Sequence, residues 1–418
     1  MINITTLNFL LQGNNHQSTL DSSATKAKIA YMCTLKKQCL IFIGKLMKKP
    51  PVIWLNVFVF SITFLFAAIA VPYRAFTHGF DGAEITAAII CFIYCGMSIT
   101  AGYHRLWSHK TYQAHWSLRI IYALGGAFAL QNSALHWSSD HRIHHKHVDK
   151  NHVDPYSAKM GFWHSHIGWM LRDFQPERYN DYDNVRDLQK DPIVVWQHKH
   201  YLLLTIIMNF GVPLVFGLWH GDVISSLLLL GFLRLVLSHH TTFFINSLAH
   251  IWGKQTYTER NTARDNGFLA FFTFGEGYHN YHHIFENDYR NGIRWWQFDP
   301  TKWLIKGCEH LKLTSKLRVT PEDKIEKARL SMVLLRSQQK IATHPDAEQL
   351  LERLQYEYDE LIHKVNAFYA ARKALLASKR DQLIADVENS EAMAQYQEIK
   401  QLLAQQRRSW QLTIEKLA

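Results

Sequence analysis

Only five of the 418 residues are cysteine (Cys33, Cys39, Cys91, Cys95 and Cys308), and no two of them make a CxxC pair. That excludes a disulfide framework and a clustered iron–sulfur site, and it fits a chain facing a reducing compartment. A His-Pro-Gly-Gly segment of the kind that seats haem is missing, as is a GxGxxG turn for a dinucleotide, so any electrons the chain uses must come from another protein. Net charge is +11, yet no array of interleaved basic and aromatic residues accompanies it, which leaves nucleic acid unsupported as a partner. Carboxylates are scarce where histidine is dense: residues 141–157 hold five histidines and only Asp149 and Asp154 to pair with them.

Long charge-free runs are abundant instead. A chain of this length suggests two or three domains, but its apolar residues are gathered into runs rather than spread over several cores. Residues 52–71, 85–103, 201–219 and 223–245 each approach the length that crosses about 30 Å of hydrocarbon, the last interrupted by Arg234 and His239-His240. Mean hydropathy is only −0.16 because the last hundred residues are strongly polar. A fifth apolar stretch, 120–135, contains Gly125-Gly126, Gln131 and Asn132; it is short for a span and is expected at the membrane surface, interfacial or re-entrant. Twelve Lys and Arg residues lie between the second and third runs, against Arg74 alone in the turns at 73–82 and 219–222. By the positive-inside rule the middle of the chain and both termini face the cytoplasm.

The domain reading is therefore threefold. Residues 1–46 have little periodicity and are expected either to precede a true start at Met47 or to be disordered, unless Lys36 to Lys49 forms a basic amphipathic entry. Residues 47–318 form the membrane domain, and 319–418 a cytoplasmic helical tail. In the tail, Thr320-Pro321-Glu322-Asp323 reads as an N-cap, a proline in the first helical position and an acidic first turn. Leu351, Leu354, Tyr358, Leu361, Val365 and Phe368 alternate spacings of three and four, the seam of a short coiled coil or hairpin that packs on itself or meets a second copy or partner.

Three histidine clusters carry the chemistry: His104 with His109, then His141, His144 and His145, then His279, His282 and His283. The last two are HxxHH, which on a helix puts three imidazoles on one face, expected to meet at one point. Neutral imidazole is the commonest metal ligand. A lone histidine at helical spacing is ordinarily a core or surface residue, but two HxxHH clusters and an HxxxxH in one chain are not chance. Four spans with no fifth crossing bring all clusters to one side.

The segments TAGYHRLWSH (100–109), LQNSALHWSSDHRIHHK (130–146), DPYSAKMGFWHSHIGWM (154–170), NSLAH (246–250) and GEGYHNYHH (275–283) resemble the membrane fatty acid desaturase family, in its acyl-CoA Δ9, stearoyl-CoA-type branch and a bacterial-like form. The resemblance covers roughly residues 50–305. It implies an all-α integral membrane fold with four transmembrane helices, interfacial helices and a cytoplasmic cap that carries a di-iron centre. The implied ligands are His104, His109, His141, His144, His145, His250, His279, His282 and His283, with Asn246 reaching one iron through water. O2 would be the co-substrate, a saturated acyl chain the substrate, and a cytochrome b5-like protein, ferredoxin or rubredoxin with its reductase the electron donor.

The need for so many imidazoles also follows from chemistry alone. Breaking an unactivated methylene C–H bond takes a strongly oxidising metal–oxygen species, and two redox metals can share the four-electron reduction of dioxygen. Soluble di-iron proteins use paired Glu-x-x-His motifs on bundle helices; here that spacing occurs at Glu276-His279 and Glu360-His363, in contexts too unlike to form one site. Asp140, Asp154 and Glu276 are placed either to accept from the second ring nitrogens of the ligands or as ordinary surface charge.

For the substrate, the resemblance places Gln131, Trp137 and Thr242 at the bend of an acyl tunnel and Phe92 and Gly96 near its closed end, so that Gly96→Leu should shorten the preferred chain. Trp137 could equally be an interfacial anchor. Arg234, a charge within an apolar span, is expected to meet a thioester or headgroup or to snorkel to the interface. The chain departs from animal acyl-CoA enzymes at Ser139-Asp140 and Arg172-Asp173, where two headgroup cations are replaced, so the acyl carrier could be CoA, a glycerolipid or a carrier protein. Histidine-box hydroxylases share the same architecture. A histidine-rich metal transporter is the rival from another class, although its ligands would be buried near the bilayer midplane.

Overall fold

A computed structural model describes residues 49–380 and 391–416. The chain divides into a leading unit, Met1–Pro51, of which only 49–51 are described, and a unit Val52–Ala418 that holds everything below. The reading of residues 1–46 lies outside the described residues.

Among the described residues four helices are long and apolar enough to cross a membrane: α1 (Trp54–Thr77), α2 (Gly82–Ser108) and, after α3 (Trp116–Ala129), α4 (Ala134–His147) and α5 (Pro192–Lys199), helices α6 (Tyr201–His220) and α7 (Val223–Ile251). Leu55, Phe58 and Ile69 of α1 and Leu202, Val215 and Leu218 of α6 are exposed, as lipid-facing side chains should be. The cap continues through α8 (Gly267–Phe272), α9 (His279–Ile284) and α10 (Pro300–His310), and the tail is α11 (Glu322–Ile341), α12 (Ala347–Arg380) and α13 (Glu391–Lys416). The one sheet among the described residues is small: β1 (Gln113–Ala114) pairs antiparallel with β2 (Thr314–Ser315) and ties the exit of α2 to the exit of α10.

Expected at 85–103, the second span continues to Ser108. Its start is fixed by a capping box, in which Asp81 accepts from Ala83 N and Glu84 N while Glu84 accepts from Asp81 N. Its last section is wound in π-helical register, with His109 N donating to His104 O at 3.1 Å. Such wide turns gather at functional sites. The fourth span also outruns its apolar run: α7 breaks at Ser247, whose hydroxyl donates to Phe243 O, and one further turn carries His250.

Helix α3 has 14 residues, which rise about 21 Å and fall short of the hydrocarbon thickness. It is accordingly not a fifth span. One face, Leu118 to Ala129, is buried against α2, while Trp116 and Ile121 stay exposed. The Gly125-Gly126 pair permits this approach, because a Cβ on Gly126 would fall 2.2 Å from the Tyr103 ring and one on Gly125 2.0 Å from Ser98 Oγ.

Arg234 does not snorkel to the surface. It is 1% exposed; its Nε donates to Leu230 O, its terminal nitrogens donate to Phe128 O (2.6 Å) and Asn209 Oδ1 (2.9 Å), and its guanidinium lies over the Phe128 ring. It therefore clamps α7 to the end of α3 and to α6, using donors that a lysine does not have.

In the tail, Leu354, Leu361 and Val365 bury against Leu403, Trp410 and Ile341, so the apolar seam is occupied by α11 and α13 of the same chain. That favours a tail packed on itself. Helix α11 begins one residue later than expected: Pro321 stands just outside it, no side chain caps it, and Thr320 N donates to Asp288 Oδ2 instead.

Candidate metal centre

Four elements deliver the nine histidines to one place. The end of α2 supplies His104 and the residue after it His109; α4 supplies His141, His144 and His145, α7 supplies His250, and α9 supplies His279, His282 and His283. They do not converge on a single point per cluster. His104, His109, His141, His145 and His282 form one group, and His144, His250, His279 and His283 a second, the ligand atoms of each group lying within 4.8 Å of one another. Each HxxHH is thus split: the i, i+4 pair serves one group and the i+3 ring the other. The stacked rings of His145 and His283, 4.2 Å apart, join the two groups.

Within the first group Nε2 atoms face each other at 2.9 Å (His104 and His282), 2.8 Å (His109 and His141) and 3.1 Å (His282 and His145). In the second, His279 Nε2 is 3.1 Å from both His250 and His283. Two imidazole nitrogens each about 2.1 Å from one ion, at a right angle, are about 3 Å apart, so these separations fit edges of a coordination shell. Burial pushes His109, His141, His279, His282 and His283 well below the usual imidazole range, the neighbouring histidines adding to the effect. His145 falls to about 4, burial outweighing the pull of Glu286. These six rings are therefore neutral, as ligation requires.

The second ring nitrogens explain why the rings stand as they do. His144 Nδ1 donates to Asp154 Oδ1 at 2.8 Å, and His145 Nδ1 lies 3.1 Å from Glu286 Oε2. His250 Nδ1 donates to Thr262 Oγ1, which donates to Asp149 Oδ1. His141 Nδ1 is 3.2 Å from the Tyr156 hydroxyl. His104 Nδ1 lies 2.9 Å from Glu276 Oε2, close in charge terms without being aligned as a hydrogen bond. Burial alone would raise the Glu276 carboxyl, but His104 and Arg105 draw it down to about 2. Of the three carboxylates singled out from sequence, Asp154 and Glu276 face ligand histidines; Asp140 does not, and pairs with His136 and Arg178 at 3.4 and 3.6 Å. Glu286, Tyr156, Thr262 and Arg105 carry no signal in the sequence that ties them to the site. Asp149 and Thr262 are 113 residues apart, and nothing local links them.

Among the residues assigned to substrate, Gln131 Nε2 donates to Thr242 Oγ1 at 2.9 Å, joining the end of α3 to α7. Trp137 stacks on His141 at 4.8 Å and meets His104 edge-on, so it walls the first group rather than anchoring at an interface. Asn246 is half-buried in the last turn before the break in α7, four residues ahead of His250. Phe92 tilts against Phe274 with ring centres 5.5 Å apart. Gly96 does not border open space: a Cβ there would lie 2.1 Å from Phe274 Cε2. Gly96→Leu is accordingly expected to lower the melting temperature by several degrees through overpacking of about 1–3 kcal/mol, with Phe274→Ala in the same chain restoring part of it. A shortened product profile at unchanged thermal stability would contradict this packing role.

An open cleft of about 440 Å³ reaches His109 and His145 from outside, lined also by Ser108, Lys110, Arg142, Lys146, Glu286, Asn287 and Arg318.

A family model described as fatty acid desaturase matches residues 83–313. A probable acyl-CoA desaturase of Schizosaccharomyces pombe is 44% identical over 256 residues, 61% of this chain and 53% of its own length. Acyl-CoA desaturase 1 of Saccharomyces cerevisiae is 45% identical over 234 residues, 56% of this chain and 46% of its own. An sn-2 palmitoyl-lipid 9-desaturase of a Nostoc species is 35% identical over 277 residues, 65% of this chain and 92% of its own. The chain spans about half the length of the two yeast relatives.

Proposed function

Because the chain belongs to the fatty acid desaturase family, we propose that it is an oxygen-dependent desaturase that introduces a cis double bond, at the ninth carbon, into a saturated acyl chain. The observation that carries this reading is the division of nine imidazoles into adjoining groups of five and four. Two irons, when bound there, supply the oxidising power that an unactivated C–H bond requires.

The residues' own work is positional. Asp154, Glu286, Thr262 and Tyr156 hold His144, His145, His250 and His141 by the nitrogen that does not ligate, fixing tautomer and ring direction before any substrate arrives. Beside the group of four, Asn246 is the candidate to supply a further ligand through water. Trp137 seals the first group, and the Gln131 to Thr242 hydrogen bond forms the joint around which an acyl chain would bend. Both the yeast acyl-CoA names and the cyanobacterial lipid name sit among the relatives, and Ser139 stands where a headgroup cation is lost, so acyl-CoA and glycerolipid-bound chains are both to be assayed.

The cleft over His109 and His145 is the entry we assign to an acidic electron-donor protein. Lys110 and Arg142 share Asp187, while Lys146 and Arg318 remain on its rim. A Lys146→Glu, Arg318→Glu double variant should raise the donor concentration for half-maximal rate about tenfold at low salt, with turnover unchanged when dithionite supplies the electrons; an unaltered donor dependence would remove the assignment. The excess of Lys and Arg between α2 and α6 supports a cytoplasmic centre and cytoplasmic tail.

Nothing favours the transporter reading, since the histidines gather at the ends of α2 and α7 rather than midway along them. The test is expression in a heterologous cell with a donor system, followed by gas chromatography of its lipids and localisation of double bonds. New cis-monounsaturated chains are expected. Hydroxy acids in their place would make the chain a hydroxylase, and metal uptake without either would end the enzymatic reading.

A further inference from the structure

A second cluster of metal-ligating side chains stands at the other end of the spans. Twenty residues of α2 separate Glu84 from His104, about 30 Å along the helix. Here the turn between α1 and α2 meets the turn between α6 and α7. Asp81 Oδ2 lies 2.7 Å from His220 Nε2, and ligand atoms of Asp81, Glu84 and His220 are within 4.8 Å of one another.

The capping box at the start of α2 uses only half of each carboxylate. Asp81 Oδ1 takes the N–H groups of Ala83 and Glu84, and Glu84 Oε2 takes that of Asp81. Asp81 Oδ2 and Glu84 Oε1 are left over. Glu84 is 3% exposed, and its Oε1 has no hydrogen-bond partner. A buried carboxylate oxygen without a partner is costly, and a proton or a cation is needed to relieve it. The fixed cation on the same turn does not serve, because Arg74 is held by Asp222 and by Ser225 Oγ.

We propose that Asp81, Glu84 and His220 form a divalent metal site of the zinc class, which pins the α1–α2 turn to the α6–α7 turn. One nitrogen and two carboxylate oxygens suit that ion, and its charge balances the two carboxylates. The helix N-terminus stabilises the oxygens it reaches, and the ion those it does not. A cleft of about 280 Å³ over the three residues admits the water that completes the shell.

The full chain, purified in detergent with its iron, would be dialysed against micromolar zinc and its metals counted by mass spectrometry, alongside His220→Gln and Glu84→Gln. The difference between wild type and variants separates this site from the histidine centre. One zinc per chain is expected to be lost in each variant, together with a zinc-dependent rise in melting temperature of several degrees, at unchanged iron content and product yield. Equal zinc content in all three chains, or binding only at millimolar zinc, would overturn the proposal in favour of a plain His220–Asp81 pair beside a Glu84 that serves only the capping box.

Discussion

Arg105→Met is expected to lower the apparent melting temperature by about 10 °C. Arg105 is 1% exposed. Its guanidinium donates to Glu276 Oε1 at 2.8 Å, to Asp299 Oδ2 at 3.1 Å and to Tyr289 O at 2.8 Å. Methionine fills much of the volume but leaves two buried carboxylates without their cation, at a cost of about 3–5 kcal/mol. Each kcal/mol moves the transition of a domain this size by about 2–4 °C. The damage reaches the metal groups as well, because Glu276 is the charge beside His104 Nδ1 and Arg105 helps to hold it ionised. Arg105→Lys should be intermediate, since an ammonium cannot bridge both carboxylates and the carbonyl in one plane. A fluorescence melt in which Arg105→Met stays within about 2 °C of wild type would mean that the network carries little stability.

His144→Ala should abolish desaturation, by at least about a thousandfold, and leave half of the iron. His144 is 2% exposed and belongs to the group of four. Asp154→Asn, which keeps the shape but weakens the hold on His144 Nδ1, should cost about 10–100-fold in activity or metal affinity. His147, on the same helix but in neither group, provides the control: His147→Ala should retain both irons. The graded series matters more than any one member. If His144→Ala kept its iron while losing activity, the second group would not be a metal site.

The parts of this molecule that could be read from sequence are those whose physics is local. Charge-free runs located the four spans, and HxxHH spacing located the imidazoles, because both depend on neighbours within a few turns. Neighbours in space were not legible. The split of each HxxHH between two groups depends on how α4 and α9 face each other, which no spacing encodes. Arg234 looked like a functional charge in an apolar run; its partners are Phe128 O at the end of α3 and Asn209 on α6, 106 and 25 residues away. Gly96 looked like room for substrate because Phe274, from a distant part of the chain, could not be seen to fill it. Helix α2 outran its charge-free run for a related reason: Arg105, which ended the run in sequence, is neutralised by Glu276 and Asp299.

The most direct test is to count iron in actively purified full-length protein and to follow product formed per chain as iron is loaded. Two irons per chain, with product rising in step with the second, is the predicted result. Full desaturase activity at one iron per chain or fewer would contradict a centre built from five and four histidines.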